Sequence, residues 1–392
     1  MGKRPAPRTS GRQGNKAKRD WFRQPPSTSV AVTNLTIVVF AAVAMYAMRG
    51  QGQPRAATQT EPSGDTDRIS KKIEGIASES VTGGANDRIS KKIEGRQLAE
   101  ALDLRQHMRD IVDNYPGAEF IHMDPPIIHF KNFMSPEECG AMIEAGKPGL
   151  TASTGTGALK NGHFERTTIA GRTSYNSWCM GPCASEPTIQ RIDRRIANAT
   201  GFSYKNMEYY QILRYDGPQE YQAHTDWIEQ QKGQPSGPRI FTFFLYLNNV
   251  EQQNGGATWF PQAVNSTKNT PALGSGAGGG GASSSIVPRQ PTYSKAYDFK
   301  EINLYYQKYN TPKGRETLAK PKDYFADMGV RVQPTQGSAV MWPNVDLDNV
   351  FEQNPGTLHA AEELIEGSLK WSANAWIHLR DFRTPHAAGL TG

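Results

Sequence analysis

Within YDGPQEYQAHTD, His224 and Asp226 stand two residues apart, and in an extended strand side chains at i and i+2 point to the same face. One imidazole and one carboxylate so placed can grip one metal ion. Such a tripeptide also arises by chance, so the distal residues matter. His359, in GTLHAAEELIEGSLKW, lies 133 residues beyond Asp226 at the start of another strand-forming run, and Lys370 follows it by 11. Two histidines and one carboxylate make the facial triad that holds non-haem Fe(II) and leaves coordination positions open. Lys370, if buried, requires an anionic partner such as a dicarboxylate, because an isolated buried ammonium is costly; otherwise it is a lysine on an exposed strand.

These residues need elements to hold them. Pro125–Gly146 reads as a strand followed by a helix, with Ser135 as N-cap, Pro136 in the first turn and Glu138 three residues after the cap, a capping box. Further strands are predicted at Met207–Arg214, Arg239–Leu247, Ala257–Phe260, Gly329–Pro334, Ser338–Trp342 and Trp371–Leu379. Many strands without alternating helices point to an antiparallel sandwich or barrel.

The motifs, in this order, resemble the prolyl 4-hydroxylase family of Fe(II)/2-oxoglutarate dioxygenases. They are NFMSPEEC, RTSYNSW at Arg172–Trp178, YDGPQEYQAHTD, FTFFLYLNNVEQQNGGATWFP at Phe241–Pro261, GSAVMWPN at Gly337–Asn344 and LHAAEELIEGSLKWSANAWIH at Leu358–His378. The resemblance spans about Pro125 to Pro385. It implies an α+β, mainly β fold: a double-stranded β-helix (jelly-roll) core with flanking N-terminal helices. It also implies that His224, Asp226 and His359 ligate Fe(II), and that Lys370, Tyr215 and Thr242 hold the distal carboxylate of 2-oxoglutarate. Glu208, Tyr221, Arg239, Trp376 and His378 correspond to the family's peptide groove, though any of them also suits ordinary sheet packing. The implied reaction couples decarboxylation of 2-oxoglutarate to succinate and CO2, consuming O2, to hydroxylation at C4 of a peptidyl proline, with ascorbate as reductant. A proline-rich peptide or protein is the implied substrate. Two other readings use the same fold: a related dioxygenase acting on another residue or a non-peptide substrate, and a non-catalytic, membrane-tethered interaction protein.

The chain departs from the family in three places. The spacing from His359 to Lys370 is one residue longer than is common, which puts an extra residue in the Glu366-Gly367 turn. Glu362 stands where animal relatives often carry Cys. About 67 residues, 262–328, separate GGATWFP from GVRVQPTQGSAV, where relatives have a short turn. This insertion begins with a Gly/Ser linker at Gly274–Ser285 and continues into a Tyr- and Lys-rich stretch, Tyr293–Phe325, that is a candidate for local order. Cys179 and Cys183, around Gly181-Pro182, suit a small disulfide; zinc would need two further ligands that are not evident nearby. Cys139 is then a lone, buried thiol. Asn198-Ala-Thr200 and Asn265-Ser-Thr267 are glycosylation triplets.

Charge and composition frame the chain. Of a net +6 over 392 residues, residues 1–29 carry +7, leaving −1 for the rest, which argues against a nucleic-acid-binding face on the folded part. Val30–Met48 has no charged residue and is about long enough to span a bilayer as a helix. With the basic tail kept inside, the expected topology is a single-pass type II signal-anchor in the endoplasmic reticulum or Golgi membrane, with a lumenal domain. The expected organisation is a basic tail (1–29), an anchor (30–48), a stem (49–118) in which DRISKKIEG occurs twice at a period of 20 residues, the enzyme-like domain (119–385) and a tail (386–392). A stem helix is expected over Asp87–Val112. The sequence leaves the oligomeric state open.

Overall fold

The computed structural model describes residues 87–160, 163–169, 171–264 and 299–391. In chain order the helices are α1 (Asp87–Leu102), α2 (Leu104–Asn114), α3 (Pro136–Gly146), α4 (Pro187–Thr200), α5 (Phe299–Tyr309), α6 (Pro312–Thr317), α7 (Pro321–Tyr324) and α8 (Arg383–Ala387). The strands are β1 (Ala118–Met123), β2 (Pro126–Phe130), β3 (Thr151–Ala152), β4 (Gly155–Lys160), β5 (His163–Thr167), β6 (Tyr175–Trp178), β7 (Gln211–Asp216) and β8 (Tyr221–His224). They continue with β9 (Arg239–Tyr246), β10 (Thr258–Phe260), β11 (Val330–Val332), β12 (Ala339–Pro343), β13 (Val345–Asp346), β14 (Asn349–Gln353), β15 (His359–Ala361) and β16 (Leu369–His378).

A large sheet, ordered β1-β2-β12-β9-β16-β7-β6-β3, and a small one, β11-β10-β15-β8, form a jelly-roll core, with antiparallel pairing throughout both. RIFTFFLY of β9 is buried along nearly its whole length, as a central strand covered on both faces must be. Its residues divide by parity. Phe241, Phe243 and Leu245 share one apolar cluster with Leu104, Met108, Met142, Ile189 and Ile196 of the helices, whereas Phe244 and Tyr246 join Tyr215, Phe260 and Trp342 in another. β16 divides likewise, with Trp371, Ala373, Ala375 and Ile377 in the helix-side cluster and Lys370, Ser372, Asn374, Trp376 and His378 alternating with them. Phe243 lies 4.8 Å, centroid to centroid, from both Phe130 and Phe133; truncating such a ring to alanine costs about 3–5 kcal/mol.

α3 starts as its capping box requires: Glu138 N donates to Ser135 Oγ at 3.2 Å and Ser135 N donates to the Glu138 carboxylate at 3.0 Å. The expected single stem helix is two, because Asp103 takes a left-handed conformation (φ 44°) and caps α2 by accepting from Gln106 N. Leu98, Leu104, Met108 and Ile111 are buried in the helix-side core, so the packed body begins inside the segment expected as stem. The tail boundary also moves: residues past 385 continue α8, and Thr391 is buried. β7 begins at Gln211 rather than Met207, which makes only a single bridge to Ile377.

The insertion leaves at Phe260 and returns at Val330, which are paired in the β10–β11 ladder. Its described part forms α5–α7, whose Ile302 and Tyr306 join Ala223, Trp259 and Ala360 of the small sheet and the adjoining Leu358 in a third apolar cluster, with Phe325 and Met328. Arg331 secures the return by donating to the carbonyls of Phe325, Ala326 and Met328 and to Glu362 at 2.7 Å. The Gly274–Ser285 linker, Asn265, the span at 30–48 and the first DRISKKIEG copy lie outside the described residues. Among those described, no helix is long and apolar enough to cross a membrane.

Candidate metal and cosubstrate site

β8 and β15 are neighbours in the small sheet, and their register sets His359 directly opposite His224. Asp226 follows two residues past the end of β8. His224 Nε2 lies 3.8 Å from Asp226 Oδ1 and His359 Nε2 3.6 Å from Oδ2, with all three ligand atoms within 4.8 Å of one another. Among the described residues this is the one such cluster of three or more. Metal–ligand bonds of about 2 Å place adjacent ligand atoms about 3 Å apart, so a modest contraction onto an ion suffices. The Nδ1 of each imidazole pairs with a backbone carbonyl two residues earlier, His224 with Gln222 O at 2.8 Å and His359 with Thr357 O at 2.9 Å. A carbonyl only accepts, so each Nδ1 carries a proton and each Nε2 is turned to the centre.

The charges agree with that role. Burial, reinforced by the neighbouring His359, takes His224 down to about 3, so it stays neutral. For Asp226 burial acts upward, but His359, His224 and Arg239 outweigh it and hold the carboxyl at about 2, ionised. Two imidazoles and one carboxylate fit Fe(II).

Thr242 is not where the resemblance implied. It faces inward from β9, yet its hydroxyl donates to Asp226 Oδ2 at 2.7 Å and accepts from Asn344 Nδ2 at 2.9 Å. It orients a metal ligand and is already committed, so the expectation that it holds the distal carboxylate is corrected. Thr258, which sequence reasoning missed, is better placed: it is buried, lines the cleft and accepts from the Tyr246 hydroxyl at 2.8 Å, leaving its own proton to donate. The available signal was its position in GGATWFP, a lone hydroxyl between a double glycine and two aromatic rings.

Lys370 is fully buried, as a cosubstrate lysine must be. Its Nζ donates to Gly256 O at 2.7 Å and otherwise lies 5.5–5.8 Å from the ring centres of Tyr215, Phe244 and Tyr246. No acidic side chain forms an ion pair with it among the described residues, and burial pushes it down to about 7, with Glu362 the opposing influence. The Gly256 carbonyl reaches it from a turn in which Gly255 and Gly256 both have φ +72°; a Cβ on Gly255 would stand 2.2 Å from Glu363 O. Tyr215 is opposite Lys370 in the β7–β16 ladder; burial raises its hydroxyl to about 12 against the pull of Arg172 and Ser174. A desolvated ammonium with one backbone partner, across the ladder from the Tyr215 hydroxyl, fits one end of a dicarboxylate.

A cleft of about 540 Å3 joins these parts. Tyr215, Tyr221, His224, Asp226, His359, Glu208, Arg239 and Trp376 line it, with Arg172, Thr258 and Trp342, whereas Lys370, Thr242 and His378 lie behind its surface. Tyr221 stacks on His224 at 3.6 Å between ring centres, and Arg172 lies over Tyr221 at 4.5 Å. Arg239 lies 3.7 Å from the Trp376 ring centre. His378 has no exposed surface and is held between Gly237 O and Glu208 Oε1, both at 2.8 Å, while Glu208, on the cleft wall, pairs with Arg239 through two hydrogen bonds. Burial alone would raise Glu208; Arg239 and His378 prevail and bring it to about 2. His378 is therefore a positioning residue for the Glu208–Arg239 pair.

Of the remaining expectations, Cys179 and Cys183 form a disulfide and Cys139 is a free, buried thiol, pushed up to about 11 by burial. Asn198 is exposed on the last turn of α4 rather than on a loop, and the hydroxyl of Thr200 is buried against Ile196 O.

Residues 210–378 match the model of the 2OG-Fe(II) oxygenase superfamily. The chain is 28% identical over 258 residues to probable prolyl 4-hydroxylase 9 of Arabidopsis thaliana, covering 66% of this chain and 70% of the relative. It is 26% identical over 262 residues to prolyl 4-hydroxylase 2 of the same plant, covering 66% and 69%. Among solved structures, a viral collagen prolyl hydroxylase from Paramecium Bursaria Chlorella virus-1 aligns over 64% of this chain and 95% of its own, with 19% identity and a TM-score of 0.36. Residues 210–378 thus carry a 2OG-Fe(II) oxygenase domain, and the similarity of the chain to prolyl 4-hydroxylases supports an oxidoreductase of the dioxygenase type. That family uses Fe(II), 2-oxoglutarate and O2, which the donor set described above suits.

Proposed function

We propose that the enzyme hydroxylates peptidyl proline at C4 in proline-rich secretory proteins, using 2-oxoglutarate and O2, with ascorbate maintaining the iron. The observation that carries this reading is the cleft that brings three convergent ligands together with a wall of rings and guanidinium groups, in front of a buried lysine that has no acidic partner among the described residues. When bound, Fe(II) and 2-oxoglutarate supply the oxidising chemistry, one oxygen atom of O2 going to the prolyl C–H bond and the other to succinate as CO2 leaves. His224, Asp226 and His359 hold the iron, and Thr242, itself held by Asn344, fixes the carboxylate. Lys370, Tyr215 and Thr258 anchor the far carboxylate of the cosubstrate. Tyr221, stacked on His224, and Arg239, stacked on Trp376, flank the path of a peptide. Aromatic walls suit proline-rich segments because polyproline II is already extended and loses little entropy on binding. In the same reading the basic tail and residues 30–48 anchor the enzyme with its domain in the lumen of the endoplasmic reticulum or Golgi.

The test is succinate release by the detergent-solubilised full chain with Fe(II), ascorbate and 2-oxoglutarate, with and without a proline-rich peptide, followed by mass spectrometry of the peptide. A peptide heavier by one oxygen at C4 of proline, lost in His224→Ala, is expected. Succinate release that leaves every such peptide unmodified would overturn the substrate assignment.

A further inference from the structure

The ladder decides which metal residues oppose one another, but it holds them only weakly. β8, which ends in His224, is a four-residue strand at the edge of the small sheet. Its one ladder partner among the described residues, β15, is three residues long, and their register breaks between His359 and Ala361. Adjacent residues of a strand face opposite ways. The neighbours of the two imidazoles, Ala223 beside His224 and Leu358 and Ala360 on either side of His359, are buried with Trp259 in the third apolar cluster. The insertion covers them: α5 packs against β8, and its Ile302 has no exposed surface. α5 is itself fastened. Tyr305 stacks on Tyr324 of α7 at 4.0 Å and donates to Ala319 O at 2.7 Å. Phe325 stacks on Trp259 at 5.3 Å, the Trp259 indole donates to Met328 O at 2.8 Å, and Lys320 pairs with Glu363 at 3.0 Å.

We propose that α5 is a brace for the metal grip: Ile302 and Tyr306, packed behind the residues next to His224 and His359, are positioning residues for metal binding. The inference rests on the reading of His224, Asp226 and His359 as metal ligands, but not on the substrate or the reaction. A short edge strand with one interrupted ladder has few backbone bonds to keep it in place, and strand pairs of that size are marginal without a packed face. Ligands carried on such strands must be ordered when the ion arrives, and that ordering entropy is subtracted from the affinity. A helix fixed behind both strands meets the cost during folding. The cross-strand pairing thus sets which side chains meet, and the insertion sets how firmly they are held.

The experiment titrates the detergent-solubilised full chain with Mn(II), following free Mn(II) by its paramagnetic resonance signal, and records the melting temperature of each metal-free variant. Ile302→Ala/Tyr306→Ala should lose about tenfold in Mn(II) affinity, the low end of the 10–100-fold that outer supports of metal ligands are worth. The KM for 2-oxoglutarate at saturating Fe(II) should stay near wild type. Tyr306→Phe, which keeps the ring, should bind as wild type does, and Ile302→Val should show a smaller loss in the same direction. Met142→Ala, in the helix-side cluster, separates bracing from general stability: it should lower the melting temperature and leave Mn(II) affinity unchanged. A folded double variant with wild-type affinity, or a Met142→Ala variant that loses as much, would overturn the brace. Should the double variant not fold, Ile302→Val decides: affinity no lower than that of Met142→Ala counts against the brace. A wild type that binds no Mn(II) removes the metal reading and the brace with it, whereas metal binding indifferent to α5 removes the brace alone.

Discussion

Replacing Lys370 by methionine should make the cosubstrate-free enzyme more stable while impairing its use of 2-oxoglutarate. The side chain has similar length, but the buried charge is gone. The fall from 10.5 to about 7 corresponds to about 5 kcal/mol against burying the cation, at 1.36 kcal/mol per pH unit. Part of that is returned when the Gly256 carbonyl loses its donor, and replacements of buried charge by apolar groups gain about 1–4 kcal/mol in practice. At about 2–4 °C per kcal/mol, the melting temperature should rise by several degrees. The pH dependence identifies the cause. Between about 7 and 10.5 the unfolded chain holds a proton on Lys370 that the folded chain does not, so wild-type stability rises with pH across that window, and below it the full penalty remains. The gap between variant and wild type should therefore be widest near pH 7 or below and narrow towards about pH 9.5. Calorimetry at several pH values, without 2-oxoglutarate, reads this directly. The KM for 2-oxoglutarate should rise about tenfold to a hundredfold, the value of a hydrogen bond to a charged group. A methionine variant that melts below wild type near neutral pH, or a gap that does not change with pH, would refute the reasoning.

Other expectations follow from the site. Thr242→Val removes the donor to Asp226 and should lower metal affinity about 10–100-fold, measured by titration with Mn(II) as a stand-in, while the KM for 2-oxoglutarate at saturating metal stays near wild type. Thr258→Val should do the reverse, raising the KM for 2-oxoglutarate with metal affinity intact. Glu208→Gln leaves Arg239 and His378 without their shared carboxylate and should destabilise the fold by about 3–5 kcal/mol, seen as a lower denaturant midpoint. Cys139, buried and with its thiol pushed up to about 11, should resist alkylation at about pH 8 in the native protein and react only on unfolding.

The cluster of His224, Asp226 and His359 was legible because its chemistry is local. An H-x-D on a strand puts two side chains on one face, and the distal His359 begins a strand-forming run. The strands of the core were legible for the same reason, as apolar runs such as RIFTFFLY announce themselves. What alternation cannot tell is which inward-facing hydroxyl meets which partner. Thr242 and Thr258 both face the interior, and only the register of β9 against β12, which brings Asn344 beside Thr242, commits one to the metal ligand and frees the other. Glu208 lines the cleft, but its bond to His378, which lies behind the surface, depends on a pairing between residues 170 positions apart. The boundaries at 118 and 385 failed because composition marks where a chain is polar, whereas Met108 and Ile111, or Phe382 and Thr391, are buried by partners distant in sequence.

The pairing of Phe260 with Val330 means that the chain departs from and rejoins the small sheet at one point. A closed ladder is indifferent to the contour length outside it, and each doubling of a flexible loop costs only about 0.6 kcal/mol. The 133 residues separating Asp226 from His359 therefore carry no information about the catalytic geometry. What sets the cluster is a cross-strand pairing, His359 opposite His224. A search for kindred enzymes should hold that adjacency fixed and let the intervening length float, since the excursion can lengthen or shorten without disturbing the pairing.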